Sequence, residues 1–151
     1  MINEQESSYR LMQWLGYAGL IPFYVMVLAL YVDLPLSADW LKQAILIYTV
    51  SIMSFLGAVH WGHAVSHVTL TNGERRRRLI WSVQPSIIAW LLTLLPHVIA
   101  IPTSIVLVIA VYAVDRFALN LLLPPVYLRL RLHLSLMVVL ALSLTTAHDY
   151  L

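Results

Sequence analysis

The sequence predicts an all-α fold: a polytopic transmembrane helix bundle of about five spans in a single domain, 1–151. Three observations carry that expectation. Hydrophobic residues make up 61% of the 151 residues and charged residues only 11%, whereas a soluble globular domain carries about 25% charged residues. The mean hydropathy is +0.84. The few charges stand between long uncharged runs, and a helix needs about 20 mostly apolar residues to cross a bilayer. The same composition excludes a disordered chain, and the absence of cysteine excludes a disulfide-stapled scaffold.

The first span is expected over 11–32, where no residue is charged and Gln13 is the only amide. The second is expected over 41–65, since neither arginine nor an acid interrupts the run from Lys42 to His60. Leu79 to Val114 is one uncharged run, too long for a single span and punctuated by Pro96, His97 and Pro102. It reads as a third span over 79–95 and a fourth over 102–123, because proline suits the first helical turn. Pro124 and Pro125 end the fourth, and the fifth follows over 125–147. No run alternates as a barrel strand would.

The arginines orient the chain. Arg75, Arg76, Arg77 and Arg78 fall between the second and third spans, Arg129 and Arg131 just after the fourth, and Arg10 before the first. Short positive loops stay in the cytoplasm, so the N-terminus is expected there and the C-terminus in the periplasm. Glu4 and Glu6 make the N-terminus unlike a signal or transit peptide, and a bacterial inner membrane is the simplest address. The pI of about 9.1 reflects these arginines and gives no basis for nucleic-acid binding. Arg75–Arg78 reads first as a topology signal and second as a contact for anionic lipid head groups.

Ionisable groups at membrane depth are costly and usually face a partner inside the bundle. At about 1.5 Å per residue, Asp115 lies roughly 12 Å into its span, Arg131 and Gln84 roughly 9 Å, and His60 roughly 7 Å. These four form a candidate polar layer, with Asp115 accepting from the planar Arg131 fork. The layer serves either to pin helix packing or to hold a ligand or a proton path, with Trp61 and Tyr127 as flanking aromatics. A snorkelling Arg131 that never meets Asp115 is the competing geometry. Arg116 points about 100° away from Asp115 and is left to snorkel or to bond Asn120.

His60, His63 and His67 share a helix face. A zinc site needs four ligands, and neither a cysteine nor an HExxH motif is present, so no metal site is expected. Haem would need two axial histidines at one depth on facing helices. His97 falls on the other side of the membrane and only His133 remains, so no cofactor is expected. Ser54, Ala58 and Gly62, with Gly57 beside them, read as a close-packing face. Trp14, Trp40, Trp61 and Trp81 read as an interfacial belt, and Pro85 as a kink beside Gln84. Ser82, Ser86 and Thr93 have no acidic helper on their span, and nothing in the sequence forms a catalytic motif.

Three stretches together resemble a known family. They are Ser54-Phe55-Leu56-Gly57-Ala58-Val59-His60-Trp61-Gly62, Trp81-Ser82-Val83-Gln84-Pro85-Ser86, and Leu123-Pro124 with Tyr127, Leu130-Arg131 and Leu134-Ser135. The first is similar to the SFLGG-x-HWG signature of domain-of-unknown-function family 3429. The opening Leu15-Gly16-Tyr17-Ala18-Gly19-Leu20-Ile21-Pro22-Phe23 resembles it too. The resemblance runs from about Leu15 to Ser135. Ala58, Val126 and Ser135 depart from the pattern, where glycine, tryptophan and threonine are expected. It implies a small multi-span inner-membrane protein, of a kind found in proteobacteria and similar to a mitochondrial transmembrane protein. It brings no established activity, but it adds weight to His60, Trp61, Gln84 and Arg131.

Two functions follow as expectations. One is a non-enzymatic accessory or assembly protein of a membrane complex, with the bilayer and another membrane protein as partners. The alternative is a binding or path protein for a small ligand such as a quinone or lipid, or for a proton, built on the polar layer.

Overall fold

The computed structural model describes residues 2–32, 34–119 and 124–150, with side chains from Glu6 onward and without that of Leu119. Among the described residues every regular element is helical. Asp33, Asn120 and the expected end of the fourth span at Leu123 lie outside them.

The first expected span is two helices, α1 (Ile2–Ala18) and α2 (Ile21–Tyr31). Pro22 sits in the first turn of α2, where its missing N–H costs nothing to α2 but cannot bond back into α1. Beside this break the next helix makes a tie, since the Tyr48 hydroxyl donates to the Gly19 carbonyl at 2.8 Å. The Phe23 ring meets the same tyrosine edge-on at 5.0 Å.

Ser37 caps α3 (Ala38–Ser66) by accepting from the Trp40 N–H. α4 (Asn72–Leu92) opens with a capping box between Thr71 and Glu74, so Arg75–Arg78 lie on its first turns rather than in a loop. α3 and α4 form the most extensive helix pair. They approach so closely that a Cβ added at Gly57 would lie 1.9 Å from the Ser82 carbonyl oxygen. Only glycine permits that crossing.

α5 (His97–Leu119) starts before Pro102, the residue expected to open it. Pro96 takes the opening role: its carbonyl accepts from the N–H groups of Ile99 and Ala100, both at 2.9 Å. Pro102 is then carried inside the helix. α6 (Pro125–Ala147) begins at Pro125 as proline at the first helical position requires, and a 3₁₀ turn, His148–Tyr150, follows it.

α3 sits at the centre, against α2, α4 and α5; α6 packs on α5 and α2, and α1 rests on α6. Phe23, Ile45, Leu46, Ile101 and Leu142 are buried where α2, α3, α5 and α6 meet. Tyr24 and Tyr31 tie α2 to α6 by donating to the carbonyls of Met137 (3.0 Å) and Leu144 (2.7 Å). Among the described residues four stretches are long and apolar enough to cross a membrane: Glu6–Tyr31, Ala38–Ser66, His97–Ala118 and Pro125–Tyr150. α4 is not among them, because its first turns carry four arginines and its uncharged part, 79–92, spans only about 21 Å.

Candidate functional site

Asp115 projects from α5 between α3 and α6. His60 Nε2–H donates to its Oδ1 at 2.8 Å, and Arg131 Nε–H donates to its Oδ2 at 2.9 Å. His60, Asp115 and Arg131 are 2%, 3% and 5% exposed, so all three leave water on folding and must satisfy one another. Each carboxylate oxygen thus has its own donor. Arg131 does not snorkel.

Arg131 uses a second arm within α6. Its Nη1 donates to the Ser135 hydroxyl at 2.6 Å, and that hydroxyl donates in turn to the Arg131 carbonyl at 2.8 Å. Ser135 is therefore part of the network, a partner that the depth reasoning missed; its i, i+4 spacing from Arg131 was the available signal. The third arm, Nη2, is buried and has no partner.

Two hollows flank the chain of bonds. Arg131 and Ser135 form the polar end of a cavity of about 220 Å³, otherwise walled by apolar residues and glycines including Gly16, Leu56 and Val138. Leu15 and Phe55 stand at its edge and are well exposed. On the other side, His60 lines a groove of about 480 Å³ together with Arg77, Arg78, Trp81 and Phe117.

Gln84 is not part of the layer. The inward face of α4 is Ser82, Pro85, Ala89 and Leu92. Gln84 precedes Pro85 by about 100° of helix rotation and lies exposed in a separate groove beside Arg76 and Arg77. Trp61 faces outward, also exposed, near Arg75 and Arg76. Tyr127 is half-buried at the start of α6. The small-residue face divides: Gly57 is at the α4 crossing, whereas Ser54, Ala58 and Gly62 point outward, and nothing lies within 4 Å of a Cβ placed on Gly62.

The histidines separate as well. His63 and His67 stack with ring centroids 3.8 Å apart, and His60 is committed to Asp115. His133 shares a 3.3 Å hydrogen bond with Tyr17. Among the described residues no three His, Asp or Glu side chains converge as a metal site would. Arg116 is exposed.

Fold and site together define a class: a bundle of long apolar helices closed around a buried His–Asp–Arg cluster whose arginine also lines a cavity. A family model matches residues 8–147. The chain therefore belongs to the family described as "Protein of unknown function (DUF3429)". No curated protein matches it, and no solved structure does.

Proposed function

We propose that this chain is an integral membrane protein that binds a small amphipathic ligand, one with an apolar body and a terminal hydrogen-bond acceptor, such as a quinone or an acyl lipid. The observation that carries the reading is Arg131, whose side chain lines the polar end of an apolar cavity and whose buried Nη2 has no partner. A buried donor without an acceptor costs about 1–3 kcal/mol or more, and a ligand carbonyl or carboxylate would remove that cost. A cavity of about 220 Å³ fits one ring or a chain segment, not a whole drug-sized molecule. The exposed rim at Leu15 and Phe55 gives an apolar ligand an entrance from the bilayer side.

Membrane embedding is supported by the apolar outer surface, on which Leu28, Phe55, Val106 and Leu136 are exposed on different helices. α4 crosses with them in this reading. Although α4 is short of apolar length, α5 starts just beyond it, and His97 meets Gln43 and Asp39 near the start of α3. α4 therefore travels from one end of the bundle to the other. The arginine end is then cytoplasmic in a bacterial inner membrane, and the C-terminus periplasmic.

Purification from native membrane, followed by mass spectrometry of bound small molecules, tests the reading. Arg131→Lys keeps a cation beside Asp115 but removes the fork. Its preparation is expected to lose the ligand and to melt at a somewhat lower temperature, through the lost Ser135 bond, while remaining folded. A wild-type protein that carries no quinone or lipid beyond the bulk composition sinks the proposal, leaving a trapped water as the partner of Nη2. A stoichiometric co-purifying protein with no bound ligand favours the accessory role instead.

A further inference from the structure

The 480 Å³ groove on the far side of His60 has a different chemistry from the Arg131 cavity. One wall is α4, which presents Arg77, Arg78 and Trp81; the facing wall is α5, which presents Val114, Phe117 and Ala118. Arg78 is held in place by one arm, Nη2, which donates to the Ala118 carbonyl at 3.3 Å. Its Nε and Nη1 are buried without partners, and so is the indole Nε1 of Trp81. Donors from two side chains of one helix, a turn apart, thus have no acceptor. Burial, and then the like charge of Arg77, hold Arg78 below its ordinary pKa, against a smaller opposing pull from Glu74. Glu74 does not supply the missing acceptor: its Oε2 accepts from the Thr71 N–H and hydroxyl at 3.0 and 2.7 Å, and neither oxygen reaches the Arg78 or Trp81 donors.

The apolar half of the groove is equally unfinished. Phe117 is 87% exposed, and it stands where the arginines give way to the uncharged part of α4. A phosphate has oxygens for several donors at once, and arginine matches its geometry with paired N–H groups. A free phosphate would use the donors but leave Phe117 uncovered. A phospholipid would use both: its phosphate on the α4 side, its acyl chain along Val114 and Phe117.

We propose that the groove between α4 and α5 is a binding site for the phosphate head of an anionic phospholipid, held by Arg77, Arg78 and Trp81 with Phe117 against the acyl chain. The arginine run is then divided by function. Arg78 faces this groove and Arg77 lines both it and the neighbouring Gln84 groove, while Arg75 and Arg76 line a different one beside Trp61.

That division makes the test. The full chain is placed in nanodiscs of phosphatidylcholine with a minor fraction of phosphatidylglycerol, and native mass spectrometry counts the phosphatidylglycerol molecules retained. Arg77→Gln with Arg78→Gln is expected to lower retention about tenfold or more, given the usual contribution of basic residues near a membrane surface. Arg75→Gln with Arg76→Gln removes the same charge from the other groove and is expected to cost clearly less retention than the Arg77 and Arg78 pair. Arg77→Gln alone takes away no hydrogen bond between described residues, so it guards against misfolding and should shift retention in the same direction. Phe117→Ala should lower it too, and inorganic phosphate should not displace the lipid. Equal losses in the two double variants would mean diffuse charge and would overturn the site. Displacement by inorganic phosphate would overturn the lipid as its occupant. Arg131→Lys leaves this retention unchanged, so failure here is separable from failure of the Arg131 cavity.

Discussion

The two ends of the bundle treat buried charge differently. At one end Lys42 of α3 is ion-paired with Asp149 of the C-terminal turn, and His97 meets Gln43 at 3.2 Å and Asp39 at 3.6 Å. These polar groups find partners among themselves, although His148 Nδ1 remains unpaired there. At the other end Asp115 is also paired, yet Arg131, Arg78, Arg75 and Trp81 keep buried donors with none. Both ring nitrogens of His63 are unpaired at this end too, but the arginine and indole groups are donors only. The lysine end is largely completed by the chain itself; at the arginine end unpaired donors outnumber acceptors, and the residues that carry them line hollows. That asymmetry is the physical basis for reading one end as structure and the other as a place for ligands.

The largest expected effect separates the two. Asp115→Asn leaves Arg131 charged and buried, and breaking such a pair costs about 3–5 kcal/mol. The variant is expected to unfold at much lower temperature by circular dichroism in detergent. At the lysine end, Lys42 is 7% exposed, but the side chain of Asp149 is 22% exposed. Lys42→Met therefore removes the buried member and leaves a carboxylate able to turn to water. Its expected cost is no more than about 1 kcal/mol, as for surface pairs. Equal losses in the two variants would erase the contrast between the ends.

Glycines on the two faces of α3 sharpen the same contrast. Gly57→Ala drives a Cβ into the Ser82 backbone, and overpacking of that kind costs about 1–3 kcal/mol. Gly62→Ala, in open space, is expected to be neutral or to stabilise by up to about 1 kcal/mol through helix propensity. Thermal melts of the two variants side by side give the sign directly.

These glycines also mark the boundary of what the sequence disclosed. Ser54, Gly57, Ala58 and Gly62 share a composition, but only Gly57 is at a crossing; which face of α3 meets α4 is a tertiary fact. Gln84 fails for the same reason, since depth along a helix says nothing about rotation around it. Depth was enough for His60, Asp115 and Arg131, each counted from the cytoplasmic end of its span. Helix boundaries were readable where the prolines marked a single break, as Pro124-Pro125 did before α6. Pro96 and Pro102 offered two starts for α5, and the choice depended on capping geometry. The Lys42–Asp149 pair joins residues 107 apart in sequence, and no local pattern announces it. The hollows and their unpartnered donors arise from the angles between helices and have no sequence signature at all.

The smallest expected effect concerns the turn that launches the arginine run. Thr71 and Glu74 exchange hydrogen bonds across the N-terminus of α4: the Glu74 N–H donates to Thr71 Oγ1 at 3.3 Å while the glutamate accepts from Thr71. Thr71→Ala removes the cap and should cost about 1 kcal/mol. The Glu74 carboxyl is held below its ordinary pKa, first by the Thr71 hydroxyl, then by the Thr71 backbone N–H, with Arg77 and Arg78 adding less against a small opposing effect of burial. A folded pKa below the unfolded one means that the charged form is the one the fold favours. The stabilisation is therefore complete above the unfolded carboxylate pKa and fades as pH falls through the folded value. Because Glu74 is fully exposed, acid should loosen only the first turn of α4, which carries Arg75–Arg78, and amide hydrogen exchange there should quicken as the carboxyl titrates. Glu74→Gln should abolish that pH dependence while leaving the Asp115 network intact. An exchange rate at this turn that, after correction for intrinsic chemistry, ignores pH in the wild type would show that the cap does not hold the arginines in place.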